Sequence, residues 1–116
     1  MLISFAWTTP QFLDGSKTVT RRDWKDRTLV QWQKAWDEQR LVHDAWDKNP
    51  RCKGRKVGQF ILTARPYRER LGNFPAEDLE AEGGLWATVE DYQKLQGGNL
   101  EKNLVVIRFR KREEVG

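Results

Sequence analysis

Apolar residues in this 116-residue chain recur at two spacings, and each spacing predicts its own kind of element. The apolar run at residues 2–6 predicts a buried first strand. Thr8-Thr9-Pro10 reads as a helix start, because threonine can cap free amides and proline suits the first turn. That short helix would bury Phe12 and Leu13 and stop at Gly15. Over residues 17–22 the period shortens, placing Thr18, Thr20 and Arg22 on one side of a strand and Lys17, Val19 and Arg21 on the other. Over residues 26–47 it lengthens again. Trp32, Ala35, Trp36, Gln39, Val42, His43 and Trp46 recur at three- and four-residue steps and predict one amphipathic helix, ended by Asn49-Pro50. Residues 57–65 predict a strand stopped by Pro66. Asn73-Phe74-Pro75 predicts a helix start, with Gly83-Gly84 as its end, and Thr88 opens a further helix through Leu95. Gly97-Gly98-Asn99 reads as a turn before a closing strand at residues 104–109, and the charged tail at 108–115 is expected to fray. The sum is one α+β domain over residues 1–116.

Composition narrows the function. Hydrophobic residues at 38% and charged residues at 33% suit a soluble folded domain, since the aromatic and aliphatic residues recur in patterned segments. No apolar run approaches the roughly eighteen residues of a membrane helix. The first five residues lack the basic flank and long apolar region of a signal peptide, so no membrane association and a cytoplasmic location are expected. With Cys52 and His43 each alone of its kind, an intrachain disulfide, a multi-cysteine zinc site and most metal or Ser-His chemistry are excluded. No cofactor is implied, and His43 reads as a packed residue. The net charge of +4 is unevenly spread. Residues 48–72 carry eight Lys or Arg against one acid, Glu69, whereas residues 73–91 carry acids and no base. Such asymmetry suits a polyanion on one face with a carboxylate held elsewhere, although charge runs are also ordinary solvated faces. Arg51, Lys53, Arg55 and Lys56, around a glycine-containing loop, are candidate phosphate contacts.

The stretch from Gly15 to Arg22 concentrates the candidate chemistry: one glycine, three hydroxyls and three cations around a single apolar Val19. A turn running into a strand would present these groups to a cavity or an anion. Lys17 and Thr20 are an odd number of residues apart, so they converge only if Lys17 sits in the turn or at a bulge, before regular pleating begins. Glu82 falls at the end of a helix, where the dipole disfavours a carboxylate, and this sets it apart from Glu77 and Asp78 at the start. Trp32, Trp36 and Trp46 either pack the long helix onto the domain or offer an aromatic surface to a protein partner. Trp24 and Tyr67 are candidate stacking residues.

These residues carry a family resemblance. Phe12-Leu13-Asp14-Gly15-Ser16-Lys17-Thr18-Val19-Thr20-Arg21-Arg22 resembles the Gly-x-Lys-x-x-Thr-x-Arg signature of the ASCH family, whose members have a small β-barrel similar to the PUA domain. Lys56-Val57-Gly58 is similar to that family's glycine-marked start of a barrel strand, and Leu79-Glu80-Ala81-Glu82-Gly83 resembles its acidic helix end. The resemblance implies a PUA-like barrel with flanking helices, residues 24–55 being a Trp-rich helical insertion. It also implies a pocket faced by Lys17, Thr20 and Glu82. Some ASCH proteins are amidohydrolases that deacetylate N4-acetylcytidine through a Lys, a Thr and a Glu at the matched positions, and others are described as RNA binders or ribonucleases. A binder would hold RNA or a modified nucleoside in the pocket, with Arg21 and Arg22 on the ligand. In a metal-free amidohydrolase Thr20 would attack or position water, Lys17 would act as base, and Arg22 would hold the substrate oxygen. Glu82 would orient the lysine and return a proton to the leaving amine, or serve as the base itself.

Overall fold

The computed structural model describes residues 1–113. It is α+β: a curled six-stranded sheet forms a half-barrel, and four helices pack around it. The strands are β1 (Leu2–Ser4), β2 (Val19–Arg22), β3 (Val42–Trp46), β4 (Lys56–Leu62), β5 (Tyr67–Arg70) and β6 (Asn103–Lys111). The helices are α1 (Thr9–Asp14), α2 (Asp26–Asp37), α3 (Asp78–Ala81) and α4 (Val89–Leu95). The sheet runs β1-β3-β4-β6-β2, with β5 also on β6; β1 and β3 are parallel and every other pair is antiparallel.

β6 is the spine. Val105 and Val106 pair with β2 on one edge and with β5 on the other. Leu104, Val105, Val106, Ile107 and Phe109 are all buried, which requires both faces of this strand to be covered. Val105, Ile107 and Phe109 join Ile3, Phe5, Phe12, Leu29, Trp32 and Phe60 in the main core. Leu104 faces a smaller cluster of Leu71, Phe74 and Tyr92. β2 is an edge strand. Thr20 and Arg22 share the face of their partners Ile107 and Val105, while Arg21 shares that of Val106.

Several boundaries move from the sequence expectation. The helix expected over 26–47 ends at Asp37, Gln39 takes a left-handed φ of 59°, and Val42–Trp46 becomes a central strand. Within β3, His43 and Ala45 are buried while Val42 is exposed, a period of two that the four-residue steps between tryptophans concealed. The 24–55 segment is therefore helix and strand, not a helical insertion alone. β5 was not expected; the charged Arg68, Glu69 and Arg70 hid a strand that pairs with β6 along its backbone. Thr8 donates its hydroxyl to the Phe5 carbonyl instead of capping α1, and Leu13 is exposed beside the buried Phe12. The region at Asn73 to Pro75 is a 3-10 turn and loop, with α3 beginning only at Asp78. Gly15 ends α1 in the left-handed region, and Thr88 caps α4 by accepting from the Asp91 amide, both as the sequence predicts. Of the tail, Arg108 to Lys111 belong to β6 and do not fray, while positions 114 and 115 lie outside the described residues. Among the described residues, no helix is long and apolar enough to cross a membrane.

Candidate functional site

The turn before β2 places Lys17. Its amide donates to the Gln11 carbonyl at 3.1 Å, and the Thr18 amide donates to Ala81 at 2.8 Å, so the chain is still turning at Lys17 and pleats only from Val19. The geometric requirement set by the odd Lys17–Thr20 spacing is thereby met. Because β2 lies at the sheet edge, side chains from both its faces reach round its free side. Lys17, Thr20, Arg21 and Arg22 all line one cavity of about 280 Å³.

Glu82 enters from the end of α3. The reversal behind it needs glycine: Gly83 has φ 135°, and a Cβ there would lie 3.3 Å from Thr8 Cγ2. Glu82 is 2% exposed and Lys17 3%. Lys17 Nζ donates to Glu82 Oε1 at 3.2 Å and also to the Glu82 main-chain carbonyl. Burial pulls the Lys17 pKa below its ordinary value by more than Glu82 raises it, and Arg22 and Arg21 push in the same downward direction. Desolvation thus outweighs the pull of the carboxylate beside Lys17 toward the charged form.

Arg21 is buried and fully engaged. Nη1 donates to Glu82 Oε2 at 2.8 Å, Nη2 to Asp78 Oδ2 at 2.5 Å and Nε to Glu69 Oε1 at 3.0 Å, while the guanidinium lies 4.4 Å from the centroid of Phe74. Burial disfavours its charge, but hydrogen bonds to Asp78 and Glu69 and the pairing with Glu82 outweigh this and raise its pKa. Arg108 holds Asp78 from the other side at 2.7 Å. Burial alone would raise the Asp78 pKa, yet Arg108 and Arg21 hold it below the ordinary carboxylate value. Arg21 thus positions Glu82, and each of its three nitrogens already donates to a carboxylate, whereas the resemblance implies that it contacts the ligand.

Arg22 points the other way. Its Nε donates to Thr20 Oγ1 at 3.1 Å and Nη2 to the Ser4 carbonyl at 2.7 Å, leaving Nη1 without a partner among the described residues. Thr20 is fixed by Arg22 and not by Lys17. Burial lowers the Arg22 pKa. The far wall is aromatic. Tyr92 is buried with its hydroxyl accepting from Gln96 Nε2 at 3.0 Å; burial first and then the Glu82 charge push the phenol pKa up. Trp86 stands edge-on to Tyr92 at 4.8 Å, and Trp7 edge-on to Trp86 at 6.4 Å.

The remaining sequence candidates are not on this cavity. Trp24 stacks on Trp32 at 5.8 Å, and Trp36 packs against the same core. Trp32 is buried in it and Trp46 belongs to β3, so the tryptophans form no continuous docking stripe. Tyr67 accepts from Arg108 Nε at 3.1 Å on β5. Lys56 pairs with Asp44. Arg51, Lys53 and Arg55 are exposed on a loop whose backbone is hydrogen-bonded to Asp47, Asn49 and Pro50. His43 is packed, as expected, with Nδ1 3.1 Å from the Met1 amine. Sequence reasoning missed Asp78, Tyr92, Trp86, Trp7 and Ser4. Asp78 had a usable signal in its place one helical turn before Glu82, a spacing that puts two acids on one face. The aromatic wall had none, because it is assembled from three separate segments.

Comparison with protein-family models, with curated proteins and with solved structures finds no match to this chain.

Proposed function

We propose that the protein binds a modified nucleoside, free or within RNA, in the cavity at the free edge of β2, in an ASCH-like, PUA-related fold. The supporting observation is the convergence of Lys17, Thr20, Arg22 and Glu82 with Tyr92, Trp7 and Trp86 around one space. At about 280 Å³ it lies near the lower end of ligand pockets, roughly 300–1,000 Å³, which suits one base and not a folded RNA. A base inside RNA must therefore be unpaired to enter. The free Nη1 of Arg22 and the third N–H of Lys17 supply donors to the base, and the Thr20 hydroxyl, already accepting from Arg22, has its proton to give. Titrating 15N-labelled protein with N4-acetylcytidine is expected to shift the resonances of Lys17, Thr20 and Trp86 first. Shifts confined to residues 51–55, or none, would remove the reading.

A second reading, deacylation of N4-acetylcytidine, is favoured by one observation: the lowered pKa of Lys17. In its neutral form Lys17 can take the proton of Thr20 or of water as the oxygen attacks the acetyl carbon. Arg22 Nη1 then faces the developing oxyanion, the C–N4 bond breaks, and the ammonium of Lys17 returns its proton to the leaving amine. If Thr20 is the nucleophile, water cleaves the resulting ester to acetate. Glu82, held by Arg21 and Lys17, orients the lysine. Chromatography of a reaction mixture decides: cytidine and acetate should appear with wild-type protein and not with Lys17→Met or Thr20→Ala. Turnover that survives both substitutions would exclude this chemistry.

A further inference from the structure

We infer that Trp7 forms a second stacking subsite at the cavity mouth, and that the ligand is a single-stranded polynucleotide whose phosphates run toward the 51–55 loop. This rests on the nucleoside reading of the cavity. Trp7 is 64% exposed, the most exposed of the large hydrophobic residues described, and yet it lines the cavity. Its position is constrained. Ala6 just before it has φ 47°, in a region that non-glycine residues seldom adopt, and the turn is held by Thr8 and Thr9 hydroxyls donating to the carbonyls of Phe5 and Ala6. Trp86 meets the Trp7 ring perpendicularly. The indole is thus braced by its neighbour and still largely open to solvent. A nucleoside that fills the cavity leaves that open surface in water, whereas the next base of a strand can stack on it.

The cations complete the argument. The Phe5 amide, in the cavity wall, donates to the Trp46 carbonyl at 2.8 Å, and Asp47, the next residue, donates its amide to the Arg55 carbonyl and accepts the Arg55 amide on Oδ1. The basic loop therefore leaves the sheet beside the cavity wall. Its shape is fixed: a Cβ at Gly54 would lie 2.0 Å from the Lys48 carbonyl oxygen, and Lys53 holds a φ of 61°. Lys56, Arg65, Arg68 and Arg70 each pair with a carboxylate, but Arg51, Lys53 and Arg55 enter no ion pair among the described residues. A loop of cations without carboxylate partners, joined through Trp46 and Asp47 to the cavity wall at Phe5, complements a sugar-phosphate chain better than it does a neutral nucleoside.

The test uses N4-methylcytidine, which has no amide to cleave, and single-stranded heptanucleotides of RNA and of DNA carrying N4-methylcytosine at the centre. The heptanucleotide should bind at least about ten-fold more tightly than the nucleoside. Trp7→Ala should weaken the heptanucleotide several-fold more than the nucleoside and so remove that advantage. Reversing Arg51, Lys53 and Arg55 to Glu should flatten the salt dependence by about two units of log–log slope, at roughly 0.7 per contact. The RNA and DNA arms report which sugar is taken. Nucleoside binding with no advantage for either heptanucleotide, as a protein partner for Trp7 would also give, overturns this inference alone. Equal weakening of both ligands by Trp7→Ala overturns it as well, and binding of neither ligand overturns the cavity reading with it.

Discussion

Lys17 is central to the proposed site, and its burial has a measurable consequence. With its pKa lowered in the fold, the unfolded chain binds more protons between that lowered value and the ordinary 10.5, so wild-type stability rises with pH across this window. Below the window both states are protonated and the folded state carries the desolvation cost in full. Chemical denaturation should therefore find Lys17→Met no less stable than wild type at pH 7, with the balance moving toward wild type as pH climbs toward 10. A pH-independent difference would show that Lys17 is solvated. Gly83 makes a second point at this scale. Its φ of 135° and the nearby Thr8 methyl leave no room for a side chain, so Gly83→Ala should cost roughly 1–3 kcal/mol and displace Glu82. The sequence made Lys17, Thr20 and Glu82 legible because polar groups at that density, and an acid at a helix end, are costly without a use. It did not show the hold of Arg21 on Glu69, Asp78 and Glu82, because these carboxylates lie some fifty to sixty positions further along the chain.

Among elements, β2 and the end of α3 form the site, and Arg21 is the bolt between them. Arg21→Met leaves Glu69, Asp78 and Glu82 without their shared cation, and should destabilise the fold by about 3 kcal/mol in denaturant titration. Arg21→Lys should recover little of this, since one ammonium cannot reproduce the guanidinium fork. The α2 helix is held differently. Trp32 lies 4.7 Å from His43 and 6.2 Å from Phe60 between ring centroids, so Trp32→Ala should cost about 3–5 kcal/mol, whereas Trp7→Ala on the surface should stay within about 0.5 kcal/mol. Equal costs would contradict the division of tryptophans into core and rim. Helices with clear caps, α1 stopping at Gly15 and α4 starting after Thr88, were legible because caps are local. The strand β3 was not. Its Trp46 happened to continue the helical spacing of Trp32 and Trp36, and only pairing with β1 and β4 decides the matter.

At the scale of the molecule, the charge blocks read from the sequence resolve into three groups. Asp78 and Glu82 of the acidic block turn inward, Lys56, Arg65, Arg68 and Arg70 of the basic block are paired, and Lys48, Arg51, Lys53 and Arg55 enter no ion pair among the described residues. The curled sheet brings β1, β2 and the helix end Glu82 to one edge, something no local pattern encodes. The most direct measurement is a calorimetric titration of N4-acetylcytidine into wild-type protein and into Lys17→Met, each checked by circular dichroism to be folded. One saturable site per chain in the wild type, weakened at least about ten-fold in the variant, is the result expected when a charge-assisted hydrogen bond is lost. No binding to the wild type, or the same affinity in both proteins, would contradict the assignment of this cavity to a modified nucleoside.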